Sequence, residues 1–437
     1  MSESRSKNLS RQIRLRVFQK AGSYLRTRYW RLAIFALALG VTIGACASGL
    51  SSETDMDLSV DSDALSVACH PSATPNPLGL PTACFDTDLR SAITNEVLVE
   101  TPALHELFLI ITALTPEGRA DNTRFVVQGA DYANIVQQHF GDYASHEAVD
   151  AVQALLNKGT PHHIAAKVDA SAYRMREDGI FEKRSEYTWI RGSQDHLESL
   201  VPSLQNFADD TDFSAFFRSR TSQQLYADQR RFFEEEAKIQ RMLDWLNGQY
   251  PDTRPFESVR LIVSPLAFAY QHQDGVVDGN FRQLIAHINY PELQETTGAL
   301  SPSANAFYRS SILFTELNHG FIEPRSSALL DRIEAVFEGG ERFVDRSILS
   351  TSYGSGRRVF LEYLNWALIS VYACERFGDA DCQIIATRVS RTMSEERGFA
   401  DFVAFQDWLL SIRKQNPEAK LQTLTPAMVD WFEQRKN

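Results

Sequence analysis

One apolar segment constrains the fold more than any other feature of the sequence. Residues Val359–Cys374 read VFLEYLNWALISVYAC, and a helix with this sequence is apolar on nearly every face. Such a helix must be surrounded by other elements rather than lie on a surface. Glu362 is the only acidic residue in the segment. Because burial of an unpaired carboxylate is strongly unfavourable, we expect Glu362 to have a partner, either Arg358 one turn earlier or a metal ion.

A second predicted helix, Ser303–Gly320, contains Thr315-Glu316-Leu317-Asn318-His319. This sequence differs by one residue from HExxH, a helical motif in which two histidines four residues apart bind zinc. The glutamate of the motif is a general base toward the metal-bound water. Thr315 stands in the place of the first histidine, and a hydroxyl is a poor zinc ligand. A helical wheel puts Thr315, Glu316 and His319 on the face opposite Phe314 and Leu317.

The periodicity predicts an α+β fold that is predominantly helical, with one small β-sheet. The predicted helices are Pro102–Ala113, Tyr132–Phe140, Glu147–Lys158, Ser222–Tyr250, Ser303–Gly320, Leu329–Phe337, Arg358–Phe377, Gln383–Thr392, Phe399–Gln415 and Pro426–Lys436. The predicted strands are Arg124–Gln128, Arg260–Ser264 and Leu284–Ile288. The glycines of Asp274–Asn280 favour a hairpin connection over a calcium loop.

Several motifs occur together along the chain: Ser264-Pro265-Leu266 after a strand, FTELNHGFIEP in the second helix, Tyr353-Gly354 ahead of the helix with Glu362 and Ala367, and Gly398-Phe399. They resemble an uncharacterised bacterial family of secreted, gluzincin-like predicted metallopeptidases, whose members are often lipoproteins. The resemblance spans about residues 95–435. It implies a zincin-like (gluzincin) domain, which we place at residues 91–437.

The resemblance also implies roles for individual residues. His319 and Glu362, 43 residues apart in the sequence, would bind zinc or another divalent metal, and Glu316 would be the general base. Tyr353 would donate to the oxyanion of a tetrahedral intermediate. Thr315 departs from the family pattern and puts both metal affinity and catalysis in question.

Two further predictions concern residues around the motif. Glu316 or Asn318 could turn inward to complete the ligand set, or His272 or His287 from the strand region could form a different one. Because Pro324 disfavours helix at the residue before it, we expect Glu323 to belong to a turn.

Two functions follow as hypotheses. In the first, the chain is a bacterial envelope lipoprotein with a zincin-like metallopeptidase domain whose metal site is degenerate at Thr315. In the second, the domain is a catalytically inactive pseudoenzyme that binds an envelope protein or peptide. A metal bound through His319 would favour the first hypothesis, and chelator-sensitive peptide cleavage would exclude the second.

The N-terminus has the pattern of an export signal. A basic arm ends at Arg31, and an uncharged run from Leu32 to Ala45 follows it. The sequence Ile43-Gly44-Ala45-Cys46 resembles the bacterial lipobox, which predicts a signal peptide over residues 1–45 and acylation of Cys46. The acyl chains would anchor the protein in a lipid bilayer, and the following alanine is typical of the outer membrane. The alternative is a transmembrane anchor.

Beyond the signal, residues 46–90 form an acidic tether and a Pro-rich loop. Four cysteines then remain, and the simplest pairing gives the disulfides Cys69–Cys84 and Cys374–Cys382, with unpaired thiols as the alternative. Without residues 1–45 the chain has 35 basic and 55 acidic residues, a net charge of −20. A domain with this negative charge repels phosphates and anionic lipid. We therefore do not expect nucleic acid as a partner.

Overall fold

The structure is a computed structural model that describes residues 85, 87–187, 195–253, 255–289, 298–338, 342–345, 347–348 and 353–436. It is predominantly helical and contains a small mixed sheet, which confirms the predicted α+β class. Residues 1–45 lie outside the described residues, as do the predicted lipidation site Cys46 and the predicted disulfide of Cys69 and Cys84. In the described part of the chain, no helix combines the length and the apolarity needed to cross a membrane.

The helices fall before and after the central strands of the sheet. Those before them are α1 (Thr87–Ile93), α2 (Ala103–Leu114), α3 (Pro116–Arg119), α4 (Asp131–Phe140), α5 (Glu147–Leu156), α6 (Thr160–Ala170), α7 (Val201–Asp210), α8 (Phe213–Arg218), α9 (Arg220–Arg231) and α10 (Ile239–Gln249). Those after them are α11 (Pro302–Arg309), α12 (Ser311–Ser327), α13 (Leu330–Phe337), α14 (Gly356–Arg376), α15 (Asp379–Arg391), α16 (Phe402–Gln415) and α17 (Leu421–Glu433).

Four strands form the main sheet in the order β1-β4-β6-β5, and β2 and β3 form a separate antiparallel pair. The strands are β1 (Glu96–Glu100), β2 (Tyr173–Met175), β3 (Phe181–Lys183), β4 (Ser258–Val263), β5 (His272–Asp278) and β6 (Phe281–Ile288). Strands β1, β4 and β6 are parallel, whereas β5 runs antiparallel to β6. The connection between β5 and β6 is the two residues Gly279-Asn280, with Gly279 at φ 55°, which confirms the predicted hairpin.

The two faces of the main sheet contact different helices, because successive side chains of a strand point to opposite faces. Ala286 of β6 belongs to the same core as Leu317 of α12. Its neighbour Ile285 packs with Ile164 and Val168 of α6. Helix α12, with α10 beside it, therefore covers one face of the sheet, and α6 covers the other.

Helix α14 contains the apolar segment and is the central helix of the C-terminal half. Nearly all of its residues from Val359 to Ala373 are buried, as the sequence predicts. Helices α12, α13, α15 and α16 pack around it. A disulfide joins Cys374 at its end to Cys382 in α15, with an S–S distance of 2.01 Å.

Some predicted elements differ from the observed ones. The predicted helix Ser222–Tyr250 is interrupted by a π-helical turn, Phe232–Glu236, and by Lys238 at φ 57°. The predicted helix Ser303–Gly320 is two helices separated at Ser310. Residues Arg124–Gln128 do not form a strand: the structure shows only one bridge there, from Val126 to Ala267.

Helix α12 also extends past the point where the sequence predicts a turn. It continues through Pro324 to Ser327, so the expectation that Glu323 lies in a turn is wrong. Proline removes one backbone hydrogen bond, and packing of the helix on the sheet and on α14 outweighs that loss.

Candidate functional site

The helix with the HExxH-like sequence, α12, lies between the sheet and α14. All residues from Ser311 to Ile322 are buried, including Thr315, Glu316 and His319. The hydroxyl of Thr315 donates to the Ile312 carbonyl of the preceding turn, at 2.7 Å. Its oxygen is thus committed to the backbone of its own helix and presents no strong donor to a metal.

His319 has a hydrogen-bond partner at each ring nitrogen. Nδ1 is 3.1 Å from Oε1 of Glu323, one turn later in α12. Nε2 is 3.0 Å from Nδ2 of Asn365 in α14. A carboxylate only accepts and this amide nitrogen only donates, so the pattern assigns the proton to Nδ1 and makes Nε2 an acceptor. Because α12 continues through Pro324, Glu323 lies one helical turn after His319, and its carboxylate orients the imidazole.

Glu362 approaches His319 from α14, with its Oε1 3.7 Å from Nε2 of the histidine. The structure therefore brings together the two side chains that the sequence predicts as metal ligands. Nevertheless, the Glu362 carboxylate is already occupied. Nη2 of Arg397 donates to Oε2 at 2.7 Å, and Nε1 of Trp366 donates to the same oxygen at 3.2 Å.

The structure pairs Glu362 with Arg397, a residue that the sequence analysis did not consider alongside Arg358 and a metal ion. Arg397 follows the π-helical turn Thr392–Glu396 and is 5% exposed. Its guanidinium lies over the ring of Trp366, with Cζ 4.7 Å from the ring centroid. Its Nη2 also donates to the hydroxyl of Tyr353. The same nitrogen of Arg397 therefore donates to both Tyr353 and Glu362, so these two predicted site residues belong to one hydrogen-bond network.

A second guanidinium adds positive charge near this network. Burial lowers the pKa of Arg124, and the charge of Arg397 acts in the same direction. Nη2 of Arg357 in α14 lies 3.7 Å from Oε2 of Glu323, whose carboxylate accepts a hydrogen bond from His319. Each of these two carboxylates, Glu362 and Glu323, is therefore paired with an arginine.

These residues do not fit a zinc ion. A catalytic zinc site takes three protein ligands, and among the described residues His319 and Glu362 belong to no group of three histidine, cysteine or acidic side chains close enough to share an ion. The amide of Asn365 donates to Nε2 of His319, the nitrogen that would bind the metal. The guanidinium of Arg397 is paired with the Glu362 carboxylate. A divalent cation would have to displace both groups and would meet the charge of Arg397 at close range.

The histidines of the sheet cannot complete this set. His287 follows Ala286 in β6 and so points away from α12, toward His105 of α2, with 5.6 Å between ring centroids. His272 pairs with His287 across the strands and lies on that same face. The pleat places both histidines across the sheet from His319, so any ligand set that they form is separate from it.

Sequence reasoning missed Arg397, Asn365 and Trp366. Arg397 immediately precedes Gly398-Phe399, one of the motifs that carry the family resemblance. The sequence therefore pointed to this segment but did not indicate that Arg397 pairs with Glu362. Asn365 and Trp366 lie three and four residues after Glu362, on the same side of α14. That spacing was a signal that could have identified both.

Comparisons with protein-family models, with curated proteins and with solved structures found no match to this chain.

Proposed function

We propose that the chain is a lipid-anchored envelope protein whose zincin-like domain is catalytically inactive and binds envelope peptides or proteins. The observation that carries the proposal is the ion pair between Arg397 and Glu362. In a gluzincin-like site this carboxylate would be a metal ligand, and here a guanidinium supplies the positive charge that such a ligand balances. The position of Thr315 supports the same conclusion, because its hydroxyl donates within its own helix.

The network has a structural role in this proposal. It connects α12, α14 and the segment after α15 through His319, Glu362 and Arg397, all of them nearly inaccessible to solvent. A buried, charge-balanced set of this kind fixes the relative positions of helices. The scaffold of a peptidase would thus be kept for recognition while its chemistry is lost. The export signal and acylated Cys46 predicted from the sequence place that recognition at the envelope.

The experiment compares the full-length chain, purified in detergent, with designed variants. The wild type should show no chelator-sensitive cleavage of a mixed peptide library. The double variant Thr315→His/Arg397→Met restores a histidine and frees Glu362, so its His319-dependent zinc affinity should rise at least tenfold. Thr315→Ser/Arg397→Met is the matched control, which frees the carboxylate without adding a ligand and should not gain zinc.

Binding is measured in the same preparations. Trp366 contacts Arg397, so its fluorescence should respond when an envelope-derived peptide binds near the network, and a Trp366→Phe variant identifies that signal. Saturable peptide binding without turnover supports the proposal. Peptide hydrolysis by the wild type that is lost in Glu316→Gln would overturn it.

That opposite outcome would establish the second candidate, a metallopeptidase with a degenerate site. The observation that favours it is the 3.7 Å approach of His319 to Glu362 on facing helices. Arg397 would then have to leave Glu362 in the active state.

A further inference from the structure

The hairpin of β5 and β6 brings three metal-ligating side chains together on the sheet face opposite α12. His272 and Asp274 alternate along β5 and so share a face, and His287 is the cross-strand partner of His272. One ligand atom from each residue lies within 4.8 Å of the others; His272 and His287 are buried, and the Asp274 side chain is 10% exposed. Two histidines and a carboxylate are a common donor set for divalent transition metals.

The orientation of His272 suits a metal ligand. Its Nδ1 is 3.0 Å from the carbonyl oxygen of Tyr270, so this nitrogen carries the proton and donates. That bond directs Nε2 toward Asp274, whose Oδ2 is 3.5 Å away. Neighbouring ligand atoms around a tetrahedral zinc ion are separated by about 3.3 Å, given Zn–N distances of ~2.0–2.1 Å. Metal-bound histidines commonly donate their other N–H to a carbonyl in this way.

The carbonyl that orients His272 is itself held in an unusual backbone conformation. Tyr270 has φ 62°, in the left-handed region that non-glycine residues seldom adopt. The same carbonyl accepts a hydrogen bond from Nζ of Lys167 in α6, at 2.8 Å. Strained backbone of this kind concentrates at functional sites, where the surrounding structure enforces it.

His287 provides an independent observation. Its side chain is 2% exposed, and neither ring nitrogen has a hydrogen-bond partner among the described residues. Its ring stacks on that of His272, with 4.5 Å between centroids and 14° between planes. Buried imidazoles normally have a partner for each nitrogen. A metal ion bound at one nitrogen of His287 would supply what the protein does not.

We propose that His272, Asp274 and His287 bind one divalent transition-metal ion, with zinc the best fit to the donors. Because the side chains of all three residues have little access to solvent, the ion would be structural and would fasten β5 to β6. His105 lies next to His287, with 5.6 Å between ring centroids, outside this set of three ligands. The proposal is independent of the proposed function, since this site and the network of His319 lie on opposite sides of the sheet.

Metal binding to the full-length chain in detergent tests the site. The protein is stripped with chelator, titrated with Zn²⁺ against a chromogenic competitor, and then loaded with Co²⁺ for visible absorption. The wild type should bind one ion per chain, with the spectrum of a low-symmetry nitrogen and oxygen site. Asp274→Asn, which conserves shape, should weaken binding at least tenfold, and His287→Ala should do the same.

His319→Ala is the matched control, because it removes the histidine of the other candidate site. It should leave zinc affinity and the Co²⁺ spectrum unchanged. Circular dichroism of each metal-free variant shows whether it is folded. If His287→Ala does not fold, the metal affinity of Asp274→Asn decides the outcome. A folded wild type that binds no metal overturns this proposal and leaves the proposed function standing. Metal that is lost in His319→Ala but retained in Asp274→Asn overturns both.

Discussion

At the scale of single residues, the pairing of Arg397 with Glu362 makes a specific prediction about stability. Arg397→Met leaves a buried carboxylate without its charge partner and should lower the free energy of unfolding by about 3–5 kcal/mol. Adding Glu362→Gln removes the charge, so the double variant should recover at least ~1 kcal/mol. Urea denaturation of the four proteins of this cycle measures the coupling. Strictly additive effects would show that the two side chains act independently.

The same pair shows what sequence reasoning can achieve at this scale. The lone acid in an apolar helix correctly indicated that Glu362 needs a partner. Periodicity identifies neighbours one turn away, such as Arg358, but not a residue 35 positions later that a π-helical turn delivers. His319 and Glu362 lie close together because both belong to helices whose buried faces the sequence defines.

At the scale of elements, Gly320 sets the distance between α12 and the sheet. A Cβ atom at this position would lie 2.6 Å from the ring of Phe256 and 3.0 Å from Cδ1 of Leu284. The guanidinium of Arg282 covers the ring of Phe256, with Cζ 4.3 Å from the ring centroid, and so restricts where the ring can move. The helix can approach the strands this closely only because glycine has no side chain.

Gly320→Ala should therefore destabilise the protein by about 1–3 kcal/mol, although alanine favours helix. Gly248→Ala is a suitable control, because a Cβ there meets no atom within 4 Å and α10 should gain a little stability. Thermal denaturation of both variants gives the comparison. Equal or higher stability of Gly320→Ala would mean that α12 can shift away from the sheet without loss.

Elements with a strong internal pattern were predictable, and those defined by their surroundings were not. The bounds of α2, α4, α13 and α14 lie within two residues of the prediction, because a helical apolar period is local. Strand β5 was missed because its sequence, HQDGVVD, is polar, and only its pairing with β6 makes it a strand. The break at Lys238 and the continuation through Pro324 likewise depend on tertiary contacts rather than local preference.

At the scale of the whole molecule, buried titratable groups set the response to acid. Burial lowers the pKa of His105, His163 and His287 well below its usual range. Burial also raises the pKa of Glu106 to about 7, while the hydroxyls of Ser264 and Tyr132 partly offset that shift. The unfolded chain binds protons at histidine more readily than the folded one, whereas the folded chain binds a proton more readily at Glu106.

The two effects have opposite signs between pH 7 and pH 5.5. Acidification should lower the free energy of unfolding through each histidine, whereas protonation of Glu106 should raise it. Glu106→Gln should therefore lose more stability than the wild type over this range, by roughly 1–2 kcal/mol. Urea titrations at both pH values, with a chelator present, measure the difference. An identical pH dependence in the two proteins would contradict the shift assigned to Glu106.

The topology of the main sheet has a further consequence for how the chain folds. Glu96 of β1 pairs with Ser258 of β4, 162 positions later, and β4 in turn pairs with β6. Parallel strands so far apart in sequence close slowly, because the intervening loop loses its entropy first. During synthesis β1 has no partner until residues 258–263 have been made. A nascent or truncated chain that ends before residue 258 would leave the backbone groups of β1 that normally pair with β4 exposed. A strand of another unfinished chain could then pair with that edge.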